Sequence, residues 1–196
     1  MKKIGITGNI GSGKTLVCSI FEAFQIPVFY ADKEAKKIYS TPEIYKQMVS
    51  RFGKSVYNSD KTIKSAVLAK KLFNNNDHLH FVNEIIHPAV HHYFDEWLKS
   101  FESKPYILYE AAILIETGYY KDFDAIVLVT APENTRIERI LERDKTSLKD
   151  VYSRISRQMN EEKKMEFADF IIQNDGKKML IPQVMNIHRL LTNTSS

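Results

Sequence analysis

One segment narrows the folds open to this 196-residue chain more than any other: Gly8-Asn9-Ile10-Gly11-Ser12-Gly13-Lys14-Thr15, which satisfies the spacing G-x-x-x-x-G-K-[ST]. It follows Lys3 to Thr7, which reads as a short strand. It precedes a run in which Val17, Ile20, Phe21 and Phe24 recur at i, i+3, i+4 and i+7, the period of a helix with one buried face. Strand, glycine-rich turn and helix in that order give the spacing its physical meaning. Glycines let the backbone wrap closely around phosphate oxygens with successive N–H groups pointing inward, and the helix N-terminus adds partial positive charge. Lys14 then bridges the outer phosphates, and the Thr15 hydroxyl is the predicted magnesium ligand. Gly8, Asn9, Ile10, Gly11, Ser12, Gly13, Lys14 and Thr15 are therefore predicted to hold a nucleoside triphosphate with Mg²⁺. Hydrolysis, transfer and simple binding all remain open at this point.

Four further short apolar runs, Pro27 to Tyr30, Tyr106 to Glu110, Ala125 to Thr130 and Phe170 to Gln173, are each bounded by Pro, Gly, Asp or Asn. Helical patterns separate them, which predicts an α/β fold with a parallel sheet covered on both faces. Residues 32–103 contain no convincing strand and read as a helical insertion between the second and third strands. Within it, Pro88 is predicted to open a new helix running to about Phe101. Pro132 opens another to about Arg143. Ser147 is placed to cap a third, to about Gln158, with Leu148, Val151, Ile155 and Met159 facing inward. Asn174-Asp175-Gly176 is a turn before a final helix holding Met179, Val184, Ile187 and Leu191, and the tail Thr192 to Ser196 is expected to fray. There is no internal repeat and no flexible linker, so residues 1–196 read as one domain.

Composition excludes several classes of function. Lys and Arg number 28 against 24 Asp and Glu, a net +4, but the basic residues fall in scattered pairs among acids. That is a solvated surface suited to a small anionic ligand, with no basic stripe for nucleic acid. Apolar stretches run to about five residues, against the roughly 20 needed to span a bilayer, and no secretory apolar region forms near Met1. A cytoplasmic protein with no membrane, nucleic-acid or obligatory protein partner is expected. The single cysteine, Cys18, sits in an apolar helical pattern and reads as a small buried hydrophobe.

Outside the loop, Asp32 ends the second strand. In a parallel sheet the C-terminal strand ends converge on one crevice, where a carboxylate can accept a hydroxyl proton; the other reading is an N-cap for a helix beginning at Lys33. Arg136, Arg139 and Arg143 follow at i, i+3 and i+7 and share a helical face, a ridge that serves phosphate or pairs on the surface with Glu133, Glu138 or Glu142. His87 precedes Pro88 and either terminates a helix or faces a ligand.

Taken together, the motifs resemble the dephospho-CoA kinase family over almost the whole chain. The resemblance rests on Gly5-Ile6-Thr7-Gly8 entering the phosphate loop, Tyr30-Ala31-Asp32, Arg51-Phe52-Gly53, Ile86-His87-Pro88 and Ile115-Glu116-Thr117-Gly118. It continues through Arg139-x-x-x-Arg143-Asp144, Arg154-Ile155-x-x-Gln158-Met159, and Ala168-Asp169 followed by Asn174-x-Gly176. It implies a P-loop NTPase kinase fold: five parallel strands in the order 2-3-1-4-5, flanked by helices. The nucleotide-binding core would comprise residues 1–31, 104–142 and 161–196, with an acceptor-binding insertion at 32–103 and a lid at 143–160.

By the same resemblance, ATP gives its γ-phosphoryl group to the ribose 3'-hydroxyl of dephospho-CoA, with Asp32 as base or orienting group. Arg139 and Arg143 contact the triphosphate, His87 helps hold the acceptor, and Asn174 meets adenine, although Asn-Asp-Gly is also an ordinary turn. The chain departs from the family pattern after the third strand, where Glu110 replaces an Asp and Ala112 a Pro. Glu110 keeps the acidic character needed to assist magnesium from an outer shell. Lys64-Ser65 stand where an Asp-Arg pair is usual, and Arg136 replaces a frequent Gln. The rivals are another small-molecule or nucleotide kinase of the same fold and a nucleotide-dependent regulatory switch; the chain has no Asn/Thr-Lys-x-Asp guanine-recognition segment to support the latter.

Overall fold

The structure is a computed structural model that describes residues 1–73 and 75–193. Its strands are β1 (Lys2–Thr7), β2 (Val28–Tyr30), β3 (Tyr106–Glu110), β4 (Ala125–Thr130) and β5 (Phe170–Gln173). The helices are α1 (Lys14–Ala23), α2 (Ala31–Ile38), α3 (Pro42–Phe52), α4 (Ser65–Leu72), α5 (Asn76–Leu98), α6 (Glu133–Asp144), α7 (Leu148–Ile155), α8 (Glu161–Met165) and α9 (Leu180–Asn193). The strands form one parallel sheet in the order β2-β3-β1-β4-β5, as expected. β1 lies in the middle, with Ile6 opposite Glu110 on one side and Val127 on the other. No described helix is long and apolar enough to cross a membrane.

The chain divides into two compact units, residues 1–29 with 101–196, and residues 30–100. In the first, the sheet is buried where its strands read as unbroken apolar runs: every residue of β3 is buried, as are Ile4, Ile6, Val127, Leu128, Val129 and Ile172. Val17, Cys18 and Phe21 of α1 and Val184, Ile187 and Leu191 of α9 cover one face, and Cys18 is indeed a buried hydrophobe. Phe21 meets Tyr106 edge-on at 6.4 Å between centroids, and the Tyr106 hydroxyl is 2.7 Å from His188 Nδ1. A large aromatic can thus be buried without stranding its polar end.

Ser147 caps α7 as anticipated, its hydroxyl accepting the Asp150 N–H at 3.2 Å. The helix nevertheless ends at Ile155, and the short α8 was not foreseen. Leu148, expected to face inward, is exposed, at 53%, and Met179, expected in the final helix, precedes α9 and is 74% exposed. Both sit at a helix entrance, before the apolar stripe has turned onto the core. Thr192 and Asn193 belong to α9, where the Thr192 hydroxyl donates to the His188 carbonyl at 2.9 Å; the rest of the expected frayed tail, 194–196, lies outside the described residues.

The second unit is helical, with one isolated antiparallel bridge between Tyr57 and Ile63. Here the expected break at Pro88 is corrected: α5 starts at Asn76, capped by the Asn75 side chain, and runs through Pro88 to Leu98. His87 therefore terminates no helix. Interior proline costs roughly 3 kcal/mol because it supplies no N–H and crowds the preceding turn. Val82, Ile86, Val90 and Phe94, four residues apart and all buried on one face, contribute roughly 1.5–3 kcal/mol each and outweigh that cost.

Candidate active site

The phosphate loop joins β1 to α1, and its backbone is tied from behind. Asn174, in the turn after β5, donates from Nδ2 to the Ser12 carbonyl at 2.8 Å. Arg139, on α6, donates from Nη1 to the carbonyls of Gly11 (3.3 Å) and Ser12 (3.5 Å), and from Nη2 to the Asn174 backbone and side-chain oxygens (3.1 and 3.3 Å). In a trans peptide unit C=O and N–H point in opposite directions. A Ser12 carbonyl drawn toward Asn174 and Arg139 therefore turns the Gly13 N–H toward the loop's concave side.

Gly13 occupies the N-cap position of α1 with φ +91°, in the left-handed region, and no side chain caps the helix. A helix N-terminus without a side-chain cap carries the partial positive charge that suits phosphate. Space imposes the same residue. A Cβ on Gly13 would collide with Asn174 Nδ2, and one on Gly11 would approach the Arg136 carbonyl to 2.6 Å.

The Lys14 ammonium donates to the Gly8 carbonyl at 2.8 Å and lies 3.9 Å from Glu110 Oε1, with both side chains about nine-tenths buried. Parallel pairing of β1 with β3 brings Glu110 beside the loop, since it stands opposite Ile6, two residues before Gly8. Thr15, exposed on the first turn of α1, offers its hydroxyl next to Lys14. No group of three or more metal-ligating side chains exists among the described residues. A hydroxyl with one nearby carboxylate nonetheless fits Mg²⁺, which keeps several waters and takes phosphate oxygens for much of its shell.

The arginine ridge divides three ways. Arg139 is the brace just described. Arg136 is buried, at 5% exposed, which corrects its reading as a surface residue: Nε donates to the Ala131 carbonyl at 3.1 Å and Nη2 lies 3.5 Å from Glu133 Oε2. Arg143 is exposed and pairs with Asp144, Nε to Oδ1 at 2.7 Å and Nη2 to Oδ2 at 3.2 Å; Arg154 reaches the same carboxylate at 2.6 Å. The Arg143 hydrogen bond, aided by Arg154, holds the Asp144 carboxyl below its usual range.

A cavity of about 270 Å³ is lined by Thr130, Ala131, Pro132, Gln173 and Asp175, at the C-terminal ends of β4 and β5, and by Glu161 at the start of α8. Burial pushes the Glu161 carboxyl up, against the opposing pull of Arg136.

Asp32 and His87 belong to the second unit. Ala31 already opens α2, whose N-cap is Tyr30 with no side-chain cap, so the N-cap reading of Asp32 falls and its exposed carboxylate stands in the first turn. His87 is half-buried on α5, and that burial lowers its pKa. Its ring is 6.4 Å from that of His91. An open groove of about 590 Å³ in this unit is lined by Glu43, Lys46, Gln47, Ser50, Arg51 and Phe81, and contains neither residue.

Two contacts at the site were not foreseen from the sequence. Lys164 lies in a Glu-Glu-Lys-Lys run that reads as solvated, yet it is fully buried against Glu116 at 2.8 Å. Gln158 accepts the Ile10 N–H at 2.7 Å, although 148 residues separate them.

Comparison with known proteins is consistent with this arrangement. A family model for dephospho-CoA kinase matches residues 2–179. A dephospho-CoA kinase of Bacteroides fragilis is 43% identical over 186 residues, covering 94% of this chain and 90% of that protein. One from Salinibacter ruber is 35% identical over 179 residues, covering 90% of each. Among solved structures, a Thermus thermophilus protein superposes with TM-score 0.86 at 27% identity, covering 100% of this chain and 98% of that one. A Campylobacter jejuni dephospho-CoA kinase gives TM-score 0.72 at 23% identity, covering 99% and 98%.

Proposed function

The chain belongs to the dephospho-CoA kinase family, and on that premise we propose how its residues carry out the ATP-dependent phosphorylation of dephospho-CoA in coenzyme A biosynthesis. The acceptor is the ribose 3'-hydroxyl. Its oxygen bonds to the γ-phosphorus of ATP, the bond from that phosphorus to the β-bridging oxygen breaks, and ADP leaves. The observation that carries this reading is the phosphate loop: a helix N-terminus without a side-chain cap, whose first residue, Lys14, has its ammonium bonded to the Gly8 carbonyl and 3.9 Å from Glu110.

Lys14 and the loop amides stabilise charge on the transferring group, and donors fixed before reaction act without reorganisation. Thr15 and Glu110 would hold Mg²⁺, which when bound neutralises charge between the terminal phosphates. Asn174 and Arg139 keep the loop carbonyls turned away from the anion, and the cavity lined by Gln173 and Asp175, on either side of Asn174 in sequence, is assigned to adenine. Arg143, on the lid of residues 143–160, exchanges Asp144 for the triphosphate, its planar donors suiting paired oxygens. Asp32 takes the hydroxyl proton, and residues 32–103, including His87, hold the acceptor. No basic stripe for nucleic acid is needed, and the reaction belongs in the cytoplasm.

The test is to incubate the purified chain with MgATP and dephospho-CoA and locate the new phosphate by mass spectrometry and phosphorus NMR. Coenzyme A and ADP in equal amounts are expected. Inert dephospho-CoA beside a nucleoside monophosphate that turns over would defeat the assignment.

A further inference from the structure

A buried cation joins two distant stretches of the chain, and one of them reaches on to the phosphate loop. Lys164, on α8, is 0% exposed; its ammonium donates to the Ala112 carbonyl at 3.1 Å and pairs with Glu116 Oε1 at 2.8 Å, both in the segment after β3. The same Glu116 oxygen accepts the Met159 N–H at 3.1 Å. Met159 and its neighbour Gln158 are also fastened to the phosphate loop: Asn9 Nδ2 donates to the Met159 carbonyl at 3.4 Å and the Ile10 N–H to Gln158 Oε1 at 2.7 Å.

The two ends of segment 143–160 are therefore unlike. At its start, Arg143, Asp144 and Arg154 form an exposed ion-pair cluster, the kind that solvent weakens. At its end, Gln158 and Met159 are held by bonds that reach a buried salt bridge. Burying that bridge is costly, since apolar residues of the same volume often give equal or greater stability, and Glu116 Oε2 is buried without a partner. What an apolar pair could not supply is an acceptor for the Met159 N–H, which fixes where Gln158 meets the loop.

We propose that Glu116 and Lys164 are positioning residues for phosphoryl transfer: the pair anchors the root of the lid, through Gln158 on the Ile10 amide, to the loop that holds the phosphates. Because the root is fixed to the phosphate site, while Val151 packs on Ile137 and Ile140 of α6, closure of the segment reproduces one geometry over the γ-phosphoryl group. The pair thereby sets how much ATP goes to the acceptor and how much to water. The inference rests on reading residues 143–160 as the lid of a kinase site.

Two variants test it. Glu116→Gln keeps the side-chain shape and removes the charge facing Lys164; Gln158→Leu removes the acceptor of the Ile10 N–H and leaves the buried pair intact. ADP and coenzyme A are measured in the same reactions, with kcat and the KM for ATP. In both variants kcat for coenzyme A formation is expected to fall about 10- to 100-fold, the loss typical of a misplacement near 1 Å. The KM for ATP should stay within about threefold, because the loop's phosphate contacts remain. ADP released in excess of coenzyme A should rise about tenfold as water gains access.

Wild-type kcat and partition in Gln158→Leu, or a Glu116→Gln protein whose sole defect is a lower Tm, would overturn the proposal. If Glu116→Gln fails to fold, Glu116→Asp, which keeps the charge but shortens its reach to Lys164 and the Met159 N–H, replaces it: the same losses support the proposal, and wild-type kcat and partition overturn it. If wild-type protein leaves dephospho-CoA untouched, the functional reading fails separately. ADP release without acceptor then tests the anchor: a rise in both variants supports it, and no change overturns it.

Discussion

Gly13→Ala is the substitution whose consequence follows most directly from the loop's geometry. The residue has φ +91°, where an L side chain costs roughly 1–2 kcal/mol. The added methyl also collides with Asn174 Nδ2, which must move. Moving it gives up the 2.8 Å bond to the Ser12 carbonyl and disturbs the 3.3 Å bond from Arg139 to Asn174 Oδ1, at about 0.5–1.5 kcal/mol each. The total is about 2–5 kcal/mol of stability.

A double-mutant cycle separates these contributions. With Asn174→Ala already in place there is no Nδ2 to strike, so Gly13→Ala should cost only the backbone share, about 1–2 kcal/mol. The coupling should then be about 1–3 kcal/mol, with the double variant more stable than the sum of the single losses implies. Urea unfolding followed by far-ultraviolet circular dichroism supplies all four stabilities, and ATP binding should weaken in step, as the phosphate role proposed for the loop requires. Additivity within about 0.5 kcal/mol would refute the collision as the cause, and a single variant as stable as wild type would refute the loop geometry itself.

Asp32→Asn should lower kcat about 10²- to 10⁴-fold with little change in acceptor KM; a near-normal kcat in steady-state assays would remove the carboxylate from the proton transfer. Lys14→Ala should cost at least about 10²-fold in kcat while circular dichroism stays native, because the transferring phosphoryl loses its nearest cation, and unchanged turnover would contradict its placement. His87 gives a pH dependence. Burial lowers its folded pKa, so the unfolded chain binds the proton more readily, and the stability due to the neutral ring is present above the ordinary value near 6.5 and is lost as pH falls toward the folded value. Urea midpoints compared between pH 7.5 and a pH below 6 should therefore fall less in His87→Gln than in wild type; an equal fall would assign the loss to other groups.

Much of the fold was open to reading because its determinants are local. The runs that became β3, β4 and β5 match to the residue, since each is a continuous apolar stretch between residues that interrupt strands, and the phosphate loop announces itself by glycines whose spacing the backbone requires. The loop's ligand class and the parallel sheet followed from those features alone. Where the reading failed, the deciding partners lay far along the chain. Pro88 signals a helix boundary to its neighbours, but burial of Val82, Ile86, Val90 and Phe94 carries α5 through it. Arg136 has acids nearby in sequence, and only packing of α6 behind Gly11 shows it to be buried.

Lys164 is the extreme case: a lysine among charged residues reads as surface by every local rule, and the Ala112 carbonyl and Glu116 carboxylate that allow its burial come from the segment after β3, some fifty residues earlier in the chain. Spacing and polarity along the chain thus determined the sheet strands and the loop between β1 and α1. Tertiary structure decided which charges leave water, because the cost of burying a charge depends on partners that only the folded backbone brings within hydrogen-bonding distance.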